Sequence, residues 1–315
     1  MEFSRYFGEN VKTLDVYLSG YFYEPEFLKI IEKQKVEGLF IHQSLFTKQM
    51  KTDLKFLDSI VNKDAIKKIG VHVDFEDEAS IERLYNFKNL DSLVVINFTK
   101  NNICIDVSRF PKLVALTING QVDLIGLDKI QLKKLLINEN KKIANKSWGK
   151  TIEELEITHS KPVILEEFNE LSNLKNLELI QSSITSLAGI ENFKNLECLT
   201  VGYCPKLLDI SAISNCTKLR KIEFENTKKI TSFNPLTALK NLQGLILSDC
   251  GEISSLQFIN ELSNLQFLSF VGTNIVDGDL TPCLRLKYAA TFNKRHYNIK
   301  EDELPKKLGC SFHEL

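Results

Sequence analysis

The chain repeats itself, and that repeat limits its possible folds more than any other feature. "LQGLILSDCGEISSL" at 242–256 superposes without a gap on "LECLTVGYCPKLLDI" at 196–210. The shared frame is L-x-x-L-x-L-x-x-(N/C/S/T). It recurs as "LKNLELIQS" from Leu174, "LRKIEFENT" from Leu219 and "LQFLSFVGT" from Leu265. The five starts are 22, 23, 23 and 23 residues apart. Upstream the frame drifts but persists: "IEELEITHS" from Ile152, "LKKLLINEN" from Leu132, "LVALTINGQ" from Leu113 and "LDSLVVINF" from Leu90. Fainter copies begin at Ile66, Val36 and Val11, and a degenerate last one at Leu286.

A short x-L-x-L core is a strand with alternate side chains inward. One such strand cannot bury its leucines alone, so successive copies must stack in parallel and bury them together. The frame resembles that of the leucine-rich-repeat superfamily, short intracellular or bacterial-type repeats with Cys, Ser or Thr at position nine. The resemblance implies an α/β fold, a horseshoe solenoid of about 11–13 repeats with a parallel concave sheet. Spacings of 19–24 residues leave room only for short extended or 3₁₀ return segments. Earlier spacings are longer, and "EPEFLKIIEKQK" (24–35) and "TKQMKTDLKFLDSIVNK" (47–63) have helical apolar periodicity. No linker is visible, so a single domain spans 1–315. Residues 1–65 form irregular, partly helical repeats or a cap, 66–280 regular repeats and 281–315 a terminal cap.

Position nine reads Ser19, Ser44, Asp74, Phe98, Gln121, Asn140, Ser160, Ser182, Cys204, Thr227, Cys250 and Thr273. Small polar side chains there can satisfy buried backbone groups of adjacent turns. Cys204 and Cys250 therefore read as parts of a structural ladder. Two repeats separate them, about 10 Å by the usual strand spacing, which is too far for a disulfide. No C-x-x-C pair or Cys/His cluster has metal-ligand spacing, so no metal and no cofactor is expected. "WGKT" (148–151) lacks the glycine of a phosphate loop, and no GxGxxG, HExxH or GxSxG occurs. Catalytic residues are accordingly none, and the chain reads as non-enzymatic. Cys198 points toward the sheet face, and His159 lies on the same face two repeats away with no orienting acid evident in the sequence.

The outward strand positions carry the information about partners. Tyr17, Phe40, His42 and His72 offer aromatic and imidazole anchors near the amino end, followed by the milder Val94, Ile96, Thr117 and Asn119. Acids then gather: Glu139, Glu154, Glu156, Glu178, Glu223, Glu225 and Asp249, against Lys134 and Lys221. Ile246 and Ser248 share this face. The whole chain has a net charge of −1, so the acidity is segregated rather than global. Acids of this kind also serve simple solubility. The sharper expectation is a groove for a basic protein partner, with electrostatic steering. Near-neutral charge argues against nucleic acid, and no apolar run approaches a membrane span.

Seven cysteines without framework spacing and an amino terminus with no secretory pattern suit the cytoplasm. Members of the superfamily mostly bind proteins along the sheet, and the resemblance implies the same here. An immunity protein neutralising a cognate toxin is one specific form. The alternatives are a regulatory adaptor or effector scaffold that positions another enzyme, and an enzyme using the groove for substrate. Arg285, Lys287, Lys294, Arg295 and His296 make the final turns basic, and Trp148 sits in a turn outside the frame.

Overall fold

Two residues after each frame start, a strand begins. A computed structural model describes residues 13–18, 24–43, 54–73, 78–99, 101–139, 150–160, 163–307, 311–312 and 315. They fall into two compact units, Met1–Ile152 and Glu153–Leu315. In the first, β1 (Thr13–Leu18), β2 (Gly38–Gln43), β3 (Lys68–Val73), β4 (Ser92–Asn97), β5 (Ala115–Asn119) and β6 (Lys134–Asn138) pair in parallel, each with the next. In the second, β7 (Glu154–Thr158), β8 (Asn176–Ile180), β9 (Cys198–Gly202), β10 (Lys221–Glu225), β11 (Gly244–Ser248), β12 (Phe267–Ser269) and β13 (Tyr288–Ala290) do the same. All thirteen frame copies thus become strands, six in the first unit and seven in the second. Leu155, Leu177, Leu199, Ile222, Leu245 and Leu268 point inward and are buried.

The return segments follow one rule. Position three before the frame leucine accepts a hydrogen bond from that leucine's amide, as Phe193 does from Leu196, Cys216 from Leu219 and Leu239 from Leu242, all at 3.0 Å. This single tight turn closes each 3₁₀ segment and buries its own column of large side chains, Phe87, Phe110, Phe193, Leu239 and Leu262. Cys216 and Cys283 belong to that column. Burial pushes their thiols up to about 11 and about 12, so they are packing groups rather than nucleophiles.

The early repeats carry helices. In α1 (Glu24–Gln34) Phe27 and Ile31 bury one face four residues apart. Its end is a Schellman motif: Lys35 takes a left-handed φ of 52° and the Val36 amide reaches back to the Ile31 carbonyl at 3.3 Å. A second helix, α2 (Glu78–Leu84), was not expected from the periodicity. The segment 47–63 needs correction, because its described part is 3₁₀ at Leu54–Ser59 rather than α-helix. Besides Phe56, the buried residues are Leu54, Leu57 and Ile60. Their spacing of three matches three residues per turn.

Candidate protein-binding face

Parallel register sorts the outward side chains of the second unit into rows. The first row runs Glu154, Asn176, Cys198, Lys221, Gly244, Phe267, Tyr288. The central row runs Glu156, Glu178, Thr200, Glu223, Ile246, Ser269, Ala290. The third runs Thr158, Ile180, Gly202, Glu225, Ser248. Glu154, Glu156, Glu178, Glu223, Glu225 and Ile246 therefore share one sheet face, each partly or fully exposed. Glu156 and Glu178 are direct cross-strand neighbours. Glu225 accepts a hydrogen bond from the Tyr203 hydroxyl at 2.6 Å, and that bond raises the phenol's pKa.

Position eight does not lie on that face. Glu139, His159, Gln181, Tyr203, Asn226 and Asp249 all have φ between 51° and 54°, and Gly120 and Gly272 take the same turn at 83° and 77°. At each, the chain leaves its strand by a left-handed step, which ends the alternation of side chains. The amides bridge forward instead: His159 to the Ile180 carbonyl at 3.0 Å, Tyr203 to Glu225 at 2.8 Å, Asp249 to Val271 at 2.9 Å. Asp249 and Glu139, expected on the face, thus belong to an exposed row along the strand exits, as does His159.

The first unit departs further from expectation. Phe40 is fully buried, together with Val94 and Ile96, so it cannot serve as a surface anchor. The reason is Gly70, its register partner on β3. With no side chain there, the Phe40 ring lies across the strand where a Cβ would clash with it. His72 is half-buried and packs edge-on between Phe40 and Phe98, at centroid distances of 5.5 and 5.2 Å. Tyr17 and His42 are register partners on β1 and β2, and their side chains lie outside the described residues.

The ladder reading of the cysteines holds in detail. Ser160, Ser182, Cys204, Thr227, Cys250 and Thr273 are all buried. The Cys250 thiol meets the Thr227 hydroxyl at 3.4 Å and the Phe224 carbonyl at 3.3 Å. Its amide donates to the Thr273 hydroxyl at 2.9 Å, which in turn donates to the Leu247 carbonyl. The Cys204 thiol donates to the Gly202 carbonyl at 3.3 Å. Burial raises the pKa of both thiols, and that of Cys198 on the face. Phe98 breaks the column, being exposed. Asn97 replaces it, its amide donating to the Gln121 carbonyl at 2.7 Å and to Asn101 at 2.9 Å. Ser19, Ser44, Asp74, Asn140 and Trp148 lie outside the described residues.

A second ladder escaped the sequence reading. Asn89, Asn195, Asn241 and Asn264 directly precede a frame leucine, and each donates to a carbonyl one repeat back, at 2.7–3.1 Å. The recurring "N-L" pair was its signal. The basic final turns are structural as well. Arg285 donates to the Ile259 and Leu262 carbonyls, Lys294 to Asn274, and His296 contacts the Ile275 carbonyl at 2.8 Å. Among the described residues no His/Cys/Asp/Glu group could hold a metal, and no helix is long and apolar enough to cross a membrane.

Comparison with known proteins follows the same lines. No family model matches the chain. A disease-resistance-type protein of Arabidopsis thaliana is 25% identical over 239 residues, covering 72% of this chain, which spans 19% of that protein's length. Among solved structures, the internalin InlF of Listeria monocytogenes superposes with a TM-score of 0.59 at 17% identity, covering 85% of this chain and 77% of its own. The complex of TLR13 with ssRNA13 gives 0.53 at 17% identity, covering 91% and 52%. With its repeat frame and its ladder, and in likeness to these structures, the chain has the leucine-rich-repeat fold.

Proposed function

We propose that this chain is a non-enzymatic, cytoplasmic binding protein that grips a basic protein segment on the open sheet face of its second unit. One observation carries the reading: register puts Glu156 beside Glu178, with Glu154 on the same strand as Glu156, Glu223 and Glu225 on the same face two strands beyond Glu178, and Lys221 as the only base in the three rows. Like charges directly opposite one another destabilise a sheet. A lysine or arginine of the partner seated beside the pair would offset that repulsion. The same sign repels nucleic-acid phosphates, which protein lysines and arginines normally neutralise. The RNA bound by TLR13 is thus no guide to the partner of this face. In its specific form, the partner is a basic toxin and this chain the immunity protein that covers its active surface.

The test starts from partners captured in the native host and identified by mass spectrometry. Glu156→Lys with Glu223→Lys is expected to weaken the captured partner at least about tenfold and to flatten its salt dependence. Unchanged affinity and salt dependence would overturn the acidic-face reading. For the immunity form, the partner expressed alone should arrest growth, and co-expression of this chain should restore it. A harmless partner would remove that form and leave protein binding standing.

A further inference from the structure

The first face row of the second unit has a gap. Its members are Glu154, Asn176, Cys198, Lys221, Gly244, Phe267 and Tyr288, and Gly244 alone carries no side chain. The neighbours leave the gap open. Phe267 stacks on Tyr288 on the other side, with centroids 4.7 Å apart and rings 6° from parallel. This differs from the glycine gap on β3, which Phe40 of the adjacent strand fills. Over Gly244 lies Phe312, 68 positions further along the chain. A Cβ built on Gly244 would sit 2.8 Å from the Phe312 ring and 3.0 Å from the Leu315 side chain. The Phe312 ring centroid is 5.7 Å from that of Phe267. Lys221 Nζ is 5.9 Å from the same ring. Arg220 donates to the Leu315 carbonyl oxygen at 3.0 Å.

These contacts hold the ring without enclosing it. Phe312 stays half-exposed, whereas the phenylalanines of the core are fully buried. The lysine lies at the outer limit of a cation–π contact, near 6 Å, and the hydrogen bond from Arg220 is exposed. Two residues along the strands, Glu223 and Ile246 stand beside the gap in the central row. We propose that the gap over Gly244 is a socket for an aromatic side chain of the protein partner, which Phe312 occupies in the free chain. This rests on the acidic-face reading and narrows the partner to a basic segment carrying an aromatic residue. Arginines or lysines reach the glutamates while the aromatic ring replaces Phe312 between Lys221 and Phe267. Occupation in cis lowers the apparent affinity by the fraction of chains whose socket is filled.

The test uses the full-length chain and two fluorescein-labelled peptides, Arg-Gly-Arg-Phe-Arg-Gly and its counterpart with alanine at the phenylalanine. Binding is read by fluorescence anisotropy. The Phe312→Ala chain is expected to bind the aromatic peptide at least about fivefold more tightly than the alanine peptide. The preference should shrink in the wild-type chain and vanish in Phe312→Ala with Gly244→Val. Gly244→Ala is the milder arm if valine disturbs folding, with thermal melting as the check. Equal binding of both peptides by the Phe312→Ala chain overturns the socket and leaves the acidic face intact, as does a preference that survives filling of Gly244. No binding of either peptide overturns both.

Discussion

At the scale of single residues, the matched cysteines are cross-ties rather than chemistry. The buried run Thr227–Cys250–Thr273 passes hydrogen bonds between three successive repeats. Thr273→Val should leave the Cys250 amide and the Leu247 carbonyl unsatisfied, costing about 1–3 kcal/mol in urea denaturation. Cys250→Ser keeps a donor for the Phe224 and Ser248 carbonyls and should change stability little. Lost partner binding by a stable Cys250→Ser chain would contradict the ladder. Asp279 makes a pH-dependent cross-tie. Hydrogen bonds from Thr281, then Asn298 and Gln257, hold its carboxyl below the usual range. A group with a depressed folded pKa stabilises above its unfolded pKa, and the contribution is lost as pH falls through the folded one. Asp279→Asn should therefore lower the urea midpoint at neutral pH, and the difference from wild type should close as the pH drops below the carboxylate range.

At the scale of elements, each repeat is a strand, a left-handed exit and a 3₁₀ return. In the 25-residue spacing between Val11 and Val36 the return carries a helix, α1. That helix ends with a lysine in the left-handed region, where glycine is the unstrained choice. Lys35→Gly should raise the thermal midpoint, by the equivalent of about 1 kcal/mol. No gain would mean that the Lys35 side chain contributes contacts offsetting the strain. The strands were legible because leucine spacing fixes both their position and their buried face. The exit row was not. Glu, His, Gln, Tyr, Asn and Asp occupy it with no common chemistry. What they share is a backbone step imposed by the next repeat's carbonyl, and no side-chain pattern records it. The 3₁₀ returns were legible in length, whereas α2 lay hidden in a 24-residue spacing between Ile66 and Leu90.

At the scale of the molecule, a solenoid holds each repeat through its neighbours. Leu245→Ala, at a fully buried inward position of β11, should cost about 2–5 kcal/mol. Amide exchange should accelerate first in β10, β11 and β12 and leave β2 to β4 near their original rates. Uniform acceleration throughout would show instead that the two units open together. The candidate face is also a property of this scale. Five glutamates scattered over more than 70 positions of chain come onto one sheet face only because parallel register puts one repeat beside the next.

The repeat frame by itself determined the fold class, the thirteen strands, their inward leucines and the structural part played by Cys204 and Cys250. These follow from the periodicity within each copy and from the regular spacing of the copies. Tertiary structure alone decided which outward residues a partner can reach. Phe40 is lost because Gly70 lets its ring lie down across the sheet. Asp249 is displaced because a left-handed step ends its strand. Gly244, a blank in the frame, becomes a feature because Phe312 lies over it. In each case the decisive atom belongs to another strand or a distant segment, and only packing brings the two together.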